Sequence, residues 1–504
     1  MRKQIDVFTP AEVAAQIFDG ATVALTGSGI FLEADAIFEA IEASFLATGH
    51  PRDLTLVHAL GIGDGRKSGL NRFAHEGLVR RVIGGHWSWS PTMQKLASEN
   101  KLEAYSFPAG AISTLLREIG ARRPGAITRI GLGTFADPRV DGGRCNTRAT
   151  AELVEHVTFD GLDYLRYKPI HIDFGLIRGS TSDAFGTLTL HREPADLDCH
   201  VVALAAHSCG GKVFAQVESQ IGKRAMPARL SRVPGVLVDG IVLAPDARKT
   251  YFPGYDPRIS GEAAIAEDAE ETPLDLPVGI RGLIAQRALS ELGAARSVNF
   301  GFGIPGGIPT LARAAKLANY WGTIEQGIHN GDMIDGPMFG AAHDPHAIVP
   351  SIDQFDFYSG GGIDVAFLGM GEMDAEGNVN VSKMGGRLVG PGGFIDITQT
   401  ARKVVFCGAF EAKGLDVDVA SDGALRIVRA GELKKLVKKV EHITFSGAQA
   451  KDNGQQVIYV TERAVFRLDD DGVALIEVAK GIDINRDVLD RMGFSPTVRL
   501  SDRH

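Results

Sequence analysis

The sequence has little cysteine, no long apolar run and no excess of basic charge. Its four cysteines, Cys145, Cys199, Cys209 and Cys407, form no CxxC pair in 504 residues, so neither a disulfide framework nor a paired-cysteine metal site is indicated. Fewer than 18 apolar residues occur consecutively anywhere, which predicts no membrane span. Because the N-terminal segment also lacks the apolar stretch of a signal peptide, we expect a reduced, cytoplasmic protein without a membrane partner.

The charge balance and the missing motifs exclude several classes of function. The chain carries 53 basic and 62 acidic residues, a formal net charge of −9, whereas nucleic-acid proteins depend on a basic surface. The motifs GxSxG, HExxH and GxxxxGK[ST] do not occur. The usual signatures of a serine hydrolase, a zinc protease and a P-loop nucleotidase are therefore absent.

Glycine is the residue in excess. Glycine accounts for 61 of the 504 residues, whereas it makes up only about 7% of average proteins. No low-complexity run explains them, so we expect many turns that need a positive φ or a close backbone approach. Apolar residues make up 44% of the chain and charged residues 23%, the composition of a globular protein with two or three domains.

Two halves of the chain repeat one series of patterns. The first begins with a capped helix at Thr9-Pro10-Ala11-Glu12, followed by an apolar strand that enters Gly27-Ser28-Gly29. The second begins with an amphipathic helix at residues 280–292, and the strand at 296–300 then enters Gly301-Phe302-Gly303. The patterns predict a strand, a glycine turn and a helix in each half.

A second repeat keeps a constant offset of 191 residues. Ile172-Asp173 corresponds to Ile363-Asp364, and Lys212 corresponds to Lys403. Between them, Asp-Ala-x-Gly occurs at 183–186 and again at 374–377, a pattern typical of a hairpin turn. The sequence therefore predicts a duplicated α/β unit with parallel or mixed sheets.

An acidic segment separates the two copies. Residues 261–276 contain six acidic side chains and no basic one, a composition that buries little apolar surface. We predict an N-terminal domain at 1–258, an acidic linker at 259–276 and a C-terminal domain at 277–504.

Two short motifs each have a functional and a structural interpretation. Residues 301–306 satisfy GxGxxG between a strand and a helix, which indicates either a dinucleotide site of an oxidoreductase or a tight turn whose N–H groups face an anionic ligand. Cys199, His200, His207 and Cys209 are close in sequence, but their spacing matches no standard zinc site. Residues 199–205 instead predict an apolar helix, and we expect no bound metal.

Glu325 is the most promising carboxylate. It follows the strand-like stretch at 320–322 and precedes Gly327 and the polar residues 329–332. A glutamate at such a place meets a ligand or is simply exposed. The glycine clusters between residues 359 and 393 have two interpretations as well: a sheet edge that receives a long phosphate-bearing ligand, or a set of hairpins.

Together, these segments resemble the family I CoA-transferases, in particular the acetate/3-oxoacid (acetoacetate) and propionate CoA-transferase branch. The resemblance extends over nearly the whole chain and is carried by GLGTFADPR (131–139), LIRGSTSDAFG (176–186), YDPRISGE (255–262), NFGFGIP (299–305), IEQGIHNG (324–331), YSGGGIDVAFLG (358–369) and GNVNVSKMGGRLVGPGGFID (377–396). It implies two similar open α/β domains with the active site at their interface. It also implies a homodimer or homotetramer of short-chain fatty acid or ketone body metabolism that needs no cofactor beyond its substrates, acyl-CoA and short carboxylic acids.

The resemblance also implies roles for particular residues. Glu325 matches the catalytic glutamate, which carries CoA as a glutamyl thioester in a ping-pong reaction, and the backbone N–H of Gly392 or Gly393 would stabilise an oxyanion. Further residues are implied to bind CoA: Gly301, Gly303, Gly360, Gly361, Gly362, Asn380, Lys383 and Gly390. The substrate pocket would include Gly27, Gly29 and Ala109.

Ala109 is a departure from the family pattern. Relatives commonly carry Pro-Gln-Gly where this chain has Pro108-Ala109-Gly110. Either Ala109→Gln restores an oxyanion donor and speeds the reaction, or alanine makes room for a bulkier acyl group. Outside the resemblance, the remaining alternatives are the oxidoreductase suggested by residues 301–306 and a non-enzymatic module that binds acyl-CoA or another effector.

Overall fold

The computed structural model describes residues 4–222, 227–252, 254–263 and 274–500. Contacts divide the chain into two compact units. The first comprises Met1–Ala266, Glu325–Asp356 and Gly386–Asp396, and the second comprises Glu267–Ile324, Phe357–Gly385 and Ile397–His504.

These units do not follow the order of the chain. Two segments that the sequence analysis assigned to the C-terminal domain, 325–356 and 386–396, make most of their contacts with the first unit. Sequence order cannot show this, because a loop that leaves one sheet is free to pack elsewhere. The predicted division at 258 and 277 stays a prediction, and residues 264–273 of the acidic linker lie outside the described residues.

The first unit is built on a parallel sheet whose central strands are buried. All residues of Leu54–His58 and Phe174–Ser182 are buried, as expected of parallel strands that are covered on both faces. Adjacent strands are parallel in the order Asp6–Phe8, Gly240–Leu243, Lys212–Gln220, Phe174–Ser182, Thr22–Leu25, Leu54–His58, Val79–Gly84 and Glu103–Ser106.

Helices and short antiparallel strands complete the first unit. Thr9 caps the first helix through a capping box with Glu12, as predicted. The helices are Pro10–Ala14, Asp35–Thr48, Pro91–Ser98, Ala109–Gly120 and Cys199–Ser208. The antiparallel strands are Ala126–Thr128, Val154–Phe159, Leu162–Tyr167, Leu188–Thr189, Ser231–Val233, Ile328–His329, Asp332–Met333, Ala342–His343 and Ala347–Ile348.

The second unit has a mixed sheet. Its strands follow the order Trp321–Ile324, Ser297–Phe300, Val365–Gly369, Lys403–Cys407, Gln456–Val460, Ala464–Asp469, Gly472–Val478 and Thr497–Val498. The first five are parallel, and the next two are antiparallel to their neighbours. The helices Gly279–Leu289, Ile308–Ala314 and Gly447–Asp452 belong to this unit. Two more helices, Ser351–Ser359 and Phe394–Thr400, begin in the first unit and end in the second.

Short strand pairs extend from the second sheet. Glu372–Met373 pairs with Val379–Asn380, Glu411–Ala412 with Leu433–Lys434, and Asp416–Val419 with Leu425–Arg429. The remaining short strands are Lys383–Met384 and Arg387–Leu388.

The register of the strands confirms the predicted duplication. In the first sheet Phe174 lies opposite Lys212, and in the second Val365 lies opposite Lys403, at the same offset of 191 residues. Each predicted hairpin is present as well, because Asp183 accepts the N–H groups of residues 185 and 187, and Asp374 those of residues 376 and 378. Both units therefore share one local design.

The duplicated glycine turns lie where the strand order reverses. In the first sheet this point falls between Thr22–Leu25 and Phe174–Ser182, and in the second between Ser297–Phe300 and Val365–Gly369. Open α/β sheets bind ligands outside the carboxyl ends of their strands at such points. Gly27 and Gly301 begin the turns that leave these two places.

No helix within the described ranges combines the length and the apolar character that a membrane crossing requires.

Candidate active site

Glu325 directly follows the strand Trp321–Ile324 and belongs to the first unit. Its side chain is half-buried, and its Oε2 atom accepts the backbone N–H of Gly393 at 2.8 Å. Burial raises the pKa of Glu325 to about 7, although the hydrogen bonds from Gly393 and Gln326 act in the opposite direction. A carboxylate that titrates near neutral pH and is held by a backbone donor is typical of a catalytic group.

Gln326 connects Glu325 to the first glycine turn. The Nε2 atom of Gln326 donates to Ser28 Oγ at 3.1 Å and lies 3.5 Å from the Oε1 atom of Glu325. Gln326 is buried. The structure thus brings the turn that contains Gly27 and Gly29 to the residue beside Glu325. A glutamine directly after the glutamate was the sequence signal for this contact, and the sequence analysis missed it.

The Gly27-Ser28-Gly29 turn is held by a second glycine loop. Gly29 has φ +56° and donates its N–H to the carbonyl oxygen of Gly61 at 2.7 Å. A Cβ atom at Gly27, where φ is +154°, would lie 3.0 Å from the Ile62 side chain. Glycine is therefore favoured at position 27 by the backbone conformation, and any other residue would also require the Ile62 side chain to shift.

The loop at residues 390–393 packs against residues 85–87. Gly392 donates its N–H to the carbonyl oxygen of Gly85 at 2.8 Å, and Trp87 donates to the carbonyl oxygen of Val389 at 2.8 Å. Gly390 has φ +78°, and a Cβ atom there would lie 2.6 Å from the oxygen of Gly85. The sequence analysis left Gly392 and Gly393 open as donors. The N–H of Gly392 is bonded to Gly85, whereas the N–H of Gly393 is bonded to Glu325 itself, and the oxyanion role of either group stays a prediction.

Close packing fixes the Gly393 donor. A Cβ atom built on Gly393 would lie 2.3 Å from Oε2 of Glu325 and 2.8 Å from the ring of Phe355. Real Cβ atoms essentially never approach other atoms closer than 3.0 Å. Only glycine therefore allows Glu325 to reach this N–H group.

A buried aspartate anchors the same segment. Asp396 is buried, and its Oδ2 atom accepts the N–H of Gly110 at 3.2 Å. Burial raises the pKa of Asp396 well above its usual range, and the charge of Glu325 acts in the same direction. The neutral form of Asp396 is therefore favoured more than in an exposed aspartate. Sequence analysis did not identify this residue, although it lies three positions after Gly393.

The backbone of Ala109 contacts the loop at residues 390–393. It is the first residue of the helix Ala109–Gly120 and donates its N–H to the carbonyl oxygen of Gly392 at 2.9 Å. Its side chain is 0% exposed. The predicted place of Ala109 in the substrate pocket stays a prediction.

The glycines predicted to bind CoA lie at opposite edges of the second sheet. Gly301 and Gly303 follow the strand Ser297–Phe300 and occupy its carboxyl end. Gly360, Gly361 and Gly362 instead follow the helix Ser351–Ser359 and precede the strand Val365–Gly369. The structure therefore does not bring 360–362 together with 301–303, because a helix-to-strand turn reaches the amino end of a parallel strand. A Cβ atom at Gly362 would lie 2.5 Å from the ring of Phe357, so packing explains this glycine.

The side chain of Asn380 makes hydrogen bonds within its own hairpin. It is fully buried, and its Nδ2 atom donates to Glu372 and to the carbonyl oxygen of Lys383. Its Oδ1 atom accepts the N–H groups of Ser382 and Lys383. These contacts use the amide fully, which speaks against the predicted contact of Asn380 with CoA. Lys383 is half-buried at the start of a two-residue strand.

The cluster of cysteine and histidine residues is a packed helix, as predicted. Cys199–Ser208 is α-helical, and Cys199 is buried. Within the described part of the chain, no three His, Cys, Asp or Glu side chains are grouped so that they could hold a metal ion.

Comparison with known proteins decides the family. A model of the coenzyme A transferase family matches residues 8–244. Acetate CoA-transferase YdiF of Escherichia coli O157:H7 is 40% identical over 498 residues, which cover 98% of this chain and 93% of that protein. The chain belongs to the family I CoA-transferases. The caffeate CoA-transferase of Acetobacterium woodii is also 40% identical, over 501 residues that cover 97% of this CoA-transferase and 95% of the relative.

Solved structures agree with this assignment. The crystal structure of the YdiF apoenzyme from E. coli O157:H7 matches this CoA-transferase with a TM-score of 0.93 at 39% identity, covering 99% of this chain and 95% of that one. A second crystal structure, a thioester complex of the same enzyme with CoA, matches with a TM-score of 0.92 over the same shares. The predicted fold class and the predicted transferase class are therefore confirmed. The oxidoreductase and the non-enzymatic module are set aside.

Proposed function

We propose that this CoA-transferase moves CoA between short-chain acids through a thioester on Glu325. The observation that supports this role is the hydrogen bond between Gly393 N–H and Glu325 Oε2. The same N–H can follow that oxygen as its charge changes during the reaction, which is the task of an oxyanion donor. The pKa of about 7 means that a large fraction of Glu325 is ionised at neutral pH and available as a nucleophile.

The reaction has four bond exchanges. A carboxylate oxygen of Glu325 attacks the acyl-CoA carbonyl, the C–S bond breaks, and a mixed anhydride and CoA thiolate result. The thiolate then attacks the Glu325 carbonyl carbon, so that the first acid leaves as its carboxylate. The second acid attacks the glutamyl thioester and releases the thiolate, which finally attacks the acid's carbonyl carbon and restores Glu325. One thioester replaces another, so we propose that no metal, redox cofactor or ATP takes part.

The two acids remain a proposal. We propose a short-chain donor such as acetyl-CoA, propionyl-CoA or a 3-oxoacyl-CoA, and a second carboxylic acid as acceptor. Two relatives at the same identity are named for acetate and for caffeate, so an aromatic acid belongs in any substrate panel. We also propose a homo-oligomeric, cytoplasmic enzyme, and light scattering after size-exclusion chromatography tests the oligomeric state.

Steady-state kinetics test the proposed function. Because CoA stays on the enzyme between the two half-reactions, double-reciprocal plots should give parallel lines. Glu325→Ala should abolish exchange while the thermal unfolding curve keeps its cooperative shape. Intersecting lines, or exchange retained by Glu325→Ala, would contradict the proposal.

A further inference from the structure

His86 lies in the first unit, at the edge of the sheet where ligands bind. It comes two residues after the strand Val79–Gly84. Gly61 follows the neighbouring strand Leu54–His58, which is parallel to Val79–Gly84. Open α/β sheets bind their ligands outside the carboxyl ends of such strands. A polar side chain at this place is therefore well situated to meet a substrate.

The backbone of Gly61 supports the imidazole ring of His86. A Cβ atom at Gly61 would lie 2.6 Å from His86 Nδ1 and 3.0 Å from the ring of Trp89. Any larger residue at position 61 would therefore displace the His86 ring. The ring packs against Gly61 through its Nδ1 edge, and its Cδ2 atom, which is bonded to Nε2, lies toward Gly392.

A gap that can hold one carbon atom lies between this ring and the carboxylate of Glu325. A Cβ atom built on Gly392 would lie 3.6 Å from Oε1 and 3.8 Å from Oε2 of Glu325, and 3.8 Å from Cδ2 of His86. These are ordinary van der Waals distances, and among the described residues no heavy atom outside Gly392 and its chain neighbours is nearer. The ring and the carboxylate are therefore no farther apart than twice 3.8 Å. All three residues belong to the first unit.

The His86 ring has hydrogen-bonding capacity that the described protein does not use. Within the described residues neither ring nitrogen makes a hydrogen bond or an ion pair, and the side chain is partly exposed. Burial lowers the pKa of His86 to about 4, and the charge of His58 acts in the same direction. The ring is therefore neutral at pH 7, with one N–H donor and one nitrogen acceptor. Such a ring suits an uncharged polar oxygen better than a phosphate or a carboxylate.

We propose that His86 forms a hydrogen bond with a hydroxyl or oxo oxygen on the acyl group held at Glu325. This inference rests on the proposed function, which places the acyl carbonyl carbon on an oxygen of Glu325. The gap beside the carboxylate accommodates a carbon of the acyl chain, and the ring lies on the other side of that gap. An oxygen carried by the chain would then meet the ring. His86 thus selects acids that have an oxygen on the chain and takes no part in bond exchange.

Pairs of acids with equal chain length test the proposal. The enzyme is loaded with CoA from acetyl-CoA or propionyl-CoA, and kcat/KM is measured for 3-hydroxybutyrate and acetoacetate against butyrate, and for lactate against propionate. The acids with an oxygen on the chain should react faster than their unsubstituted partners. His86→Phe keeps a ring without hydrogen-bonding groups, so it should lower kcat/KM for these acids about tenfold, as expected for one lost hydrogen bond. Butyrate and propionate should react as before.

Two further variants complete this experiment. His86→Ala removes the ring without adding bulk, and it should show the same selective loss if His86→Phe does not fold in a thermal unfolding assay. His207→Phe changes an exposed histidine of the first unit and is the matched control, which should keep the preference of the unsubstituted enzyme. A loss with acetoacetate assigns the donor role to the ring, because an oxo oxygen only accepts. A loss confined to the hydroxy acids assigns it the acceptor role.

Three outcomes would overturn the proposal. The unsubstituted enzyme could show no preference for acids with an oxygen on the chain, or a folded variant of His86 could keep that preference unchanged. Equal losses for 3-hydroxybutyrate and butyrate would show that the ring only shapes the pocket. In each case a thioester that still forms on Glu325 leaves the proposed function standing, whereas no thioester in the unsubstituted enzyme with any donor would contradict the proposed function and this inference together.

Discussion

Adding one methyl group at Gly393 tests the contact on which the proposed chemistry depends. In Gly393→Ala the new Cβ atom would lie 2.3 Å from Oε2 of Glu325, whereas real contacts need at least 3.0 Å. The carboxylate must therefore move away, and the hydrogen bond of 2.8 Å is lost. The backbone itself tolerates alanine, because Gly393 has no positive φ.

The expected cost follows from the loss of one oxyanion donor, which lowers kcat by about 10²–10³. In the unsubstituted protein this hydrogen bond lowers the pKa of Glu325, and the variant lacks that effect. The pH at which activity is half-maximal should consequently rise above about 7 in the variant. Single-turnover formation of the protein–CoA adduct, followed by mass spectrometry at several pH values, measures both effects.

Gly222→Ala is a suitable control for this substitution. A Cβ atom at Gly222 meets no heavy atom within 4 Å, and its φ is not positive. This variant should react like the unsubstituted enzyme. If Gly393→Ala is folded by thermal unfolding and keeps its rate within about threefold, well short of the loss expected for an oxyanion donor, the contact between Gly393 and Glu325 has no catalytic role.

Four further predictions concern the groups around this contact. Because the nucleophile must be ionised and burial raises the pKa of Glu325 to about 7, adduct formation should slow about tenfold per pH unit below 7. The folded protein binds the proton of Glu325 more tightly than the unfolded chain does. Its free energy of unfolding should therefore decrease as the pH rises from 4.5 to about 7, and Glu325→Gln should remove that decrease in urea titrations. Burial favours the neutral form of Asp396, and asparagine keeps a side-chain oxygen that can accept the N–H of Gly110, so Asp396→Asn should keep most of kcat. Asp396→Ala leaves that N–H unpaired and should lower both kcat and Tm; equal losses in the two variants would refute this. Ala109→Gln places a polar amide where the methyl group is 0% exposed, so it should lower the free energy of unfolding by about 1–3 kcal/mol. A faster enzyme with an unchanged Tm would instead support an added oxyanion donor.

Much of the fold follows from patterns that are local in sequence. The offset of 191 residues appears in the structure as the same strand register, Phe174 opposite Lys212 and Val365 opposite Lys403. Such patterns are readable because alternation, caps and glycine turns act over a few residues. The division into compact units could not be read in the same way, since the segments 325–356 and 386–396 are placed by contacts that are distant in sequence.

The candidate site shows the same limit. Glu325 and the glycines near 392 could be named from their motifs, but the choice between Gly392 and Gly393 depends on which N–H the distant Gly85 accepts. The position of residues 360–362 could not be predicted for another reason. A glycine cluster looks alike before and after a strand, although only the turn after a parallel strand reaches the ligand edge. Asp396 ends the motif at 377–396, but its contact could not be predicted, because only the structure shows that this carboxyl group is buried.

The direct test of the central claim is to find CoA on Glu325. The protein is incubated with acetyl-CoA, propionyl-CoA or an aromatic acyl-CoA and no acceptor acid, and its intact mass is measured before and after borohydride reduction. The account predicts an added mass of CoA less water, and a peptide in which Glu325 alone is reduced to an alcohol. Reduction at another carboxylate, or no adduct with any of these donors, would contradict it.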